Sequence, residues 1–310
     1  MTKLAIVFPG QGSQRLGMLK DYYEQFDLVK HTFQEANEAL GFDLWQIIQR
    51  DEQKLNQTEY TQPALLASSV SIWRVLQTLN IKQPEALAGH SLGEYSALTC
   101  ANAISFSDAL LLVKTRGELM QSAVTNKACA MSAILGLSNE AVIECCNAAS
   151  QYGIVEPANF NSIGQVVISG EKLAVEKANE IAKEKGAKRA QILPVSVPSH
   201  SPLMKPAAEI FAKELDKINI QAPSISVIHN VDIQTHNTES AIKEALIKQL
   251  YSPVLWTQTI EKLAQESFDT VIECGANKVL TGLNKRIVKS LQYFDSATVT
   301  ALENIEQQTV

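Results

Sequence analysis

Short apolar runs alternate with helical patterns along most of the chain. Residues 4–8 are apolar and are closed by a Pro-Gly pair, so they are too few for a signal peptide or a membrane span and predict a buried first strand. Pro63 is suited to a first helical turn, and apolar residues follow it at helical spacing. Ser107 is expected to cap another helix. Comparable patterns predict helices over about 22–40, 107–122, 198–218, 239–249 and 279–291, and strands over 224–229 and 270–273.

The segment 128–195 has a pattern of its own. It predicts a strand over 131–135, a helix over 139–150, two strands around a turn at 161–164, a helix over 171–185 and a strand over 189–195. The order βαββαβ is that of the ferredoxin-like arrangement. We therefore expect a small subdomain at 128–195, inserted into a larger α/β subdomain formed by 1–127 and 196–310.

Composition and charge narrow the class of protein. Of the 310 residues, 45% are hydrophobic and 19% are charged, as in ordinary globular enzymes. The net charge is −6 and no basic run stands out, so we expect binding neither to nucleic acid nor to membranes. An odd number of cysteines without C-x-x-C spacing predicts reduced thiols in the cytoplasm and no metal site. They are Cys100, Cys129, Cys145, Cys146 and Cys274.

A candidate nucleophile lies in the run Gly89-His90-Ser91-Leu92-Gly93, which has the G-x-S-x-G pattern of a nucleophile elbow. Apolar residues precede the run and a helical pattern of small residues follows it. The serine could instead merely cap that helix. The strand–turn–helix context favours the nucleophile, with amide N–H groups of the helix start available to a developing oxyanion.

A serine hydroxyl needs a general base. His90 adjoins Ser91, but successive strand side chains point to opposite faces. His200 lies in a non-regular segment held between prolines, where catalytic side chains tend to be found, and is our candidate. Asp108, the one aspartate between serine and histidine, fits a helix start better than a catalytic acid. Either a backbone carbonyl orients His200 or the protein is not a standard esterase.

Arg116 lies on an apolar helix face, since Leu112, Val113, Leu119 and Met120 surround it at helical spacing. A buried guanidinium needs a partner. The pattern alone leaves two partners open: an internal Asp or Glu, or a carboxylate on the substrate, which Arg can bind with two parallel hydrogen bonds.

Taken together, several runs resemble the malonyl-CoA:acyl carrier protein transacylases of bacterial type II fatty-acid synthesis, in order from about residue 4 to residue 290. They are far more specific than a lone elbow. The matching runs are FPGQGSQ at 8–14, TQPAL at 61–65, GHSLGEYSA at 89–97, NFNS at 159–162, VSVPSH at 195–200 and QLYSPV at 249–254.

The resemblance implies an α/β-hydrolase-like large subdomain and a ping-pong reaction. Malonyl-CoA is the implied donor, acyl carrier protein the implied partner, and no bound cofactor is expected. It implies that Ser91 is the nucleophile, His200 the base, and the backbone carbonyl of Gln249 the group that orients His200. The protein is expected to be a monomer. The implied oxyanion hole is formed by Gln11 and Leu92, and the implied substrate-binding residues are Arg116 and Asn161.

Departures from the family pattern are few. Ala276 and Asn277 stand where Gly-Pro-Gly-Lys is usual, Cys129 stands where glycine is common, and Ser199 leaves room for branched acyl groups. Three rivals remain: a serine thioesterase, a trans-acting acyltransferase of a polyketide-type assembly line, and a catalytically silent carrier-binding module. An acidic carrier needs a basic docking patch, for which the candidates are Lys185, Lys188, Arg189, Lys278, Lys285, Arg286 and Lys289.

Overall fold

The computed structural model describes residues 3–124, 128–195 and 197–309. Two separate sheets organise this part of the chain. Their strands are β1 (Leu4–Phe8), β2 (Ala86–Gly89), β3 (Cys129–Leu135), β4 (Val155–Ser162), β5 (Gln165–Glu171), β6 (Arg189–Ile192), β7 (Ser226–Ile228), β8 (Thr270–Glu273) and β9 (Gln292–Asp295).

Helices cover both sheets. They are α1 (Lys20–Gln25), α2 (Asp27–Leu40), α3 (Leu44–Arg50), α4 (Glu52–Leu55), α5 (Thr58–Leu76), α6 (Gly93–Cys100), α7 (Phe106–Ser122), α8 (Asn139–Ala149), α9 (Lys172–Glu184), α10 (Lys205–Leu215), α11 (Glu239–Gln249), α12 (Trp256–Gln265), α13 (Val279–Ile287) and α14 (Val299–Thr309). Of the helices described, none is both long and apolar enough to cross a bilayer.

The larger sheet is parallel, in the order β7-β2-β1-β8-β9. All five residues of β1 are buried, as expected for a central strand covered on both faces. Ligands of open parallel sheets bind at the carboxyl ends of the strands. The segments that follow β1, β2 and β7 meet at that edge, and they carry Gln11, Ser91 and Asn230 respectively.

The smaller sheet is antiparallel, in the order β4-β5-β3-β6. Its helices α8 and α9 pack on it around a separate apolar core that includes Val142, Val166, Ile168 and Val175. The predicted fold class is confirmed: an α/β large part with an inserted ferredoxin-like βαββαβ unit. The predicted boundaries at 127/128 and 195/196 involve residues 125–127 and 196, which lie outside the described residues, so they stay a prediction.

Several predicted ends were wrong. Helix α7 is capped by Ser105, whose hydroxyl accepts from the Asp108 N–H, so Ser107 lies inside the helix. Helix α5 begins at Thr58, and Pro63 therefore lies within it rather than at its start. The helix expected over 279–291 ends at Ile287, because Val288 is extended, and β9 follows. Strand β6 stops at Ile192, before the predicted end at 195.

Candidate active site

The elbow serine lies in a strained turn between β2 and α6. Ser91 has a φ of +51°, in the left-handed region that side chains other than glycine rarely adopt. A Cβ on Gly89 would lie 1.8 Å from the Gly93 carbonyl carbon, and one on Gly93 would lie 2.0 Å from the Phe8 oxygen. Both glycines are therefore required by close backbone approach. The Ser91 N–H donates to Asn230 Oδ1 at 2.8 Å, and this hydrogen bond holds the turn in place.

His200 reaches this serine from the segment before α10. Its Nε2 lies 2.8 Å from Ser91 Oγ, and its Nδ1 lies 2.7 Å from the backbone oxygen of Gln249. A carbonyl can only accept, so Nδ1 carries a proton and Nε2 is left to accept from the serine hydroxyl. Burial, followed by the nearby Arg116 guanidinium, lowers the pKa of His200 to about 3. The imidazole is therefore neutral near pH 7, the form that a general base requires.

Arg116 projects from α7 toward the same serine and is fully buried. Its Nη1 donates to Gln62 Oε1 at 2.9 Å, and its Nη2 donates to Gln249 Oε1 at 3.1 Å and, at 3.4 Å, to Ser91 Oγ. The guanidinium also lies over the Tyr95 ring. No carboxylate of the described residues forms an ion pair with it, so the structural ion pair left open by the helix pattern is not found there.

The two amides expected to form an oxyanion hole come from different elements. Leu92 immediately precedes α6, and Gln11 lies in the loop after β1. Within the described ranges, neither N–H donates to another protein atom. Asn277, at one departure from the family pattern, donates from Nδ2 to the Ser13 oxygen at 3.5 Å. The loop around 275–278 therefore braces the loop that carries Gln11.

Asn161 lies on β4, and its Oδ1 accepts from His90 Nε2 at 2.7 Å. Burial lowers the pKa of His90, which keeps the ring neutral. The His90 ring contacts Asn161 and Trp256, and among the described residues it forms no hydrogen bond with Ser91 Oγ. The contact brings Asn161 to the elbow from the small sheet, but no contact shows it binding a substrate, and that role stays a prediction.

Residue patterns alone did not single out the side chains that hold the site together. Gln62, Glu94 and Asn230 are all buried polar residues. Gln62 contacts Arg116, Asn230 contacts Ser91, and the Glu94 carboxylate contacts Asn230 and Gln249. Glu94 Oε1 lies 2.6 Å from His229 Nδ1, and its Oε2 accepts from the Asn230 N–H at 3.1 Å. Polar residues within otherwise buried helical patterns were the available signal for Gln62 and Glu94.

The arrangement can perform acyl transfer: a strained serine, a neutral imidazole on its hydroxyl, two free amides and a buried cation beside it. No group of three or more side chains suited to a metal ion occurs among the described residues. The site therefore defines a serine acyl-transfer centre on an α/β fold.

Comparison with known proteins agrees. The acyl transferase domain family matches residues 5–309. A malonyl CoA-acyl carrier protein transacylase of Haemophilus influenzae is 52% identical over 309 residues, 99% of each chain. The chain thus belongs to the acyl transferase domain family, among the malonyl CoA-acyl carrier protein transacylases.

Solved structures give the same picture. The crystal structure of an acyl carrier protein S-malonyltransferase from Vibrio cholerae superposes with a TM-score of 0.96 at 55% identity, covering 98% of this chain and 100% of that one. A malonyl-transacylase solved in complex with a type II PKS acyl-carrier protein superposes with a TM-score of 0.97 at 50% identity, covering 99% of each. The likeness extends over the whole chain and is not confined to the elbow.

Proposed function

We propose that this protein transfers the malonyl group from malonyl-CoA to the phosphopantetheine thiol of acyl carrier protein, through an ester on Ser91. The observation that carries the proposal is Arg116: a fully buried cation that contacts the nucleophile and has no carboxylate partner among the described residues. A malonyl thioester has a free carboxylate a few bonds from its reacting carbonyl. A bidentate pair would then hold the substrate by that carboxylate.

The first half-reaction acylates the serine. Ser91 Oγ attacks the thioester carbonyl while its proton passes to His200 Nε2, and the Leu92 and Gln11 amides stabilise the oxyanion. The tetrahedral intermediate then collapses. The C–S bond breaks, and His200 gives its proton to the departing CoA thiolate. Malonyl-Ser91 and free CoA result.

The second half-reaction reverses these roles. The phosphopantetheine thiol attacks the malonyl-Ser91 ester and loses its proton to His200. The C–Oγ bond breaks, and the proton returns to Ser91 Oγ. Among the described residues, it is the Gln249 carbonyl, and no aspartate or glutamate, that accepts from His200 Nδ1. A carbonyl fixes the tautomer without adding a negative charge beside the imidazole, in keeping with the low pKa of His200.

Intact-protein mass spectrometry tests the proposal directly. The protein is mixed briefly with malonyl-CoA, with Ser91→Ala in parallel, and holo acyl carrier protein is then added. We expect a malonyl adduct that requires Ser91 and moves to the carrier. An adduct that decays to water in the presence of carrier would indicate a thioesterase, and absence of any adduct would refute the proposed substrate.

A second carrier is favoured by one observation: the malonyl-transacylase that superposes at a TM-score of 0.97 is bound to a type II PKS acyl-carrier protein. The same chemistry could therefore serve a polyketide-type assembly line. Competition between a fatty-acid carrier and a polyketide carrier for the malonyl-Ser91 adduct, both at equal concentration, separates the two. Preference for the fatty-acid carrier supports the first assignment.

We also propose that the protein works in the cytoplasm. Cys100, Cys145, Cys146 and Cys274 are buried thiols rather than disulfide partners, which suits a reducing compartment.

Carrier docking is proposed at the exposed cations of the candidate patch. Arg286, at the end of α13, donates to Gln165 of the small sheet at 3.2 Å, so its helix lies where the two sheets approach each other. Lys185, by contrast, is paired with Glu144.

A further inference from the structure

A buried carboxylate lies close to the elbow, and the proposed reaction does not use it. Glu94 is fully buried in the first turn of α6, three residues after the nucleophile. Its Oε1 lies within hydrogen-bond distance of His229 Nδ1, at 2.6 Å. Its Oε2 accepts from the Asn230 N–H at 3.1 Å and from Gln249 Nε2 at 2.8 Å. Two N–H donors converge on Oε2 and His229 Nδ1 faces Oε1, so that an ionised Glu94 can accept a hydrogen bond at each of these three contacts.

Two of these donors lead straight to the site. Asn230 Oδ1 accepts from the Ser91 N–H at 2.8 Å, and Gln249 Nε2 also donates to the Ser91 carbonyl at 2.9 Å. The backbone oxygen of Gln249 lies 2.7 Å from His200 Nδ1. The Glu94 carboxylate is therefore connected to both the nucleophile and the base through one intervening residue, although it contacts neither reacting atom.

The side-chain amide of Gln249 also connects Glu94 to Arg116. Gln249 Oε1 accepts from the Arg116 guanidinium at 3.1 Å, while the nitrogen of the same amide donates to Glu94. The amide dipole is thus aligned with its oxygen toward the cation and its N–H groups toward the anion. A buried cation without a counter-charge is strongly destabilising. Glu94 is the buried anion that the network links to Arg116, one amide away.

We propose that Glu94 is a positioning residue and, in the empty site, the counter-charge of Arg116. Its negative charge then lowers the affinity of the site for the malonyl carboxylate. This inference rests on the proposed malonyl transfer. While the site is empty, Glu94 holds Gln249 and, through it, the guanidinium in place. Once a malonyl group has arrived, the same charge opposes the new carboxylate, so that the acyl group is held firmly enough to orient and loosely enough to leave on the carrier.

Glu94→Gln separates charge from shape. The amide oxygen of the variant can take the place of Oε2 and accept from Asn230 and Gln249. Its NH₂ can take the place of Oε1 and donate to His229 Nδ1, since His229 can adopt the other tautomer. Every hydrogen bond is then kept and only the charge is lost. Glu94→Ala, which loses the bonds as well, is the matched variant for purely structural damage.

The measurement is binding by titration calorimetry in the Ser91→Ala background, where no acyl transfer occurs. We expect Glu94→Gln to bind malonyl-CoA about ten-fold more tightly, as removal of one nearby charge predicts, and to bind CoA as before. Structural loss alone would weaken malonyl-CoA binding, as expected for Glu94→Ala. Unchanged or weaker malonyl-CoA binding by a folded Glu94→Gln variant would overturn the inference.

Folding and the proposed function are tested separately. If Glu94→Gln does not fold, Arg116→Gln is added: recovery of the melting transition supports a charge pair, and failure to recover it overturns the pair. If the protein with Ser91 and Glu94 intact forms no malonyl adduct, the proposed function fails. If that adduct forms and moves to the carrier while Glu94→Gln shows no tighter binding, only the inference about Glu94 fails.

Discussion

Replacement of Arg116 by alanine is expected to change which acyl group the protein transfers. The guanidinium is buried beside Ser91, and its two terminal nitrogens donate to Gln62 and Gln249. In the proposed complex those nitrogens turn to the malonyl carboxylate as a fork. Arg116→Ala removes the fork and leaves malonate to bury an unpaired charge, while an acetyl group, which has no carboxylate, loses nothing comparable.

The magnitude follows from the two hydrogen bonds. A hydrogen bond to a charged group contributes about 1.5–3 kcal/mol, so two give about 3–6 kcal/mol. Since each 1.36 kcal/mol is a factor of ten, kcat/KM for malonyl transfer should fall by about 10²–10⁴. Arg116→Lys keeps the charge but not the planar fork, so its kcat/KM for malonyl transfer should lie between those of the unchanged protein and Arg116→Ala.

The assay is the rate of acyl transfer from malonyl-CoA and from acetyl-CoA to holo acyl carrier protein, reported as a ratio of kcat/KM values. Lys114→Ala, on the same helix but paired with Glu118 at the surface, is the control and should leave the ratio unchanged. Melting temperatures of all variants exclude global unfolding. An unchanged malonyl-to-acetyl ratio in folded Arg116→Ala would refute the assignment of Arg116 as the carboxylate-binding residue.

Three further expectations concern pH and docking. Because the Arg116 charge contributes to the low pKa of His200, Arg116→Ala should shift the acidic limb of the acetyl-transfer pH profile to higher pH; a limb that stays in place contradicts this. Burial raises the pKa of Glu273 from 4.5 to about 7, so the folded state binds more protons than the unfolded state between pH 4.5 and pH 7. The free energy of unfolding should therefore fall by up to about 3 kcal/mol as pH rises through this range. Urea midpoints at pH 5 and pH 7 should differ less for Glu273→Gln, and an equal difference would argue against that pKa. Charge reversal of Lys285 and Arg286 together should reduce carrier transfer most at low salt, and equal transfer at every salt concentration would exclude docking there.

Local constraints made much of this fold predictable from the sequence. The elbow could be recognised because the close approach of Gly89 and Gly93 permits no side chain. The βαββαβ unit could be recognised because helical and strand periodicities alternate cleanly from β3 to β6. The helix start at Ser105 could not, because Ser105 and Ser107 are both suitable caps and only the backbone conformation decides between them.

Weakly patterned elements were missed for a related reason. Strand β9 lies at the edge of the parallel sheet, and none of its four residues is fully buried. Such a strand shows no apolar run, so the helical pattern before it seemed to continue. Helix α14, which follows β9, was missed with it.

The polar network under the elbow depends on contacts that no local period encodes. Asn230 reaches Ser91 across 139 positions, and Gln62 reaches Arg116 across 54. The sequence offers each as a single polar residue, with nothing to indicate its partner. The role of the Gln249 carbonyl was expected from family resemblance, whereas its side-chain link between Arg116 and Glu94 emerges from the structure.

The proposed role of Arg116 would tie substrate choice to the basicity of His200. In the empty site, burial and the Arg116 charge together hold the pKa of His200 at about 3, which makes it a weak proton acceptor. In the proposed complex, a malonyl carboxylate paired with Arg116 offsets part of that charge, so we expect the pKa of His200 to rise at the stage when Ser91 must lose its proton. An acetyl group brings no such charge and leaves the base weak. If Arg116 binds the carboxylate as proposed, it discriminates twice, first in binding and then in the proton transfer, and selectivity for malonyl groups should exceed what the two hydrogen bonds supply alone.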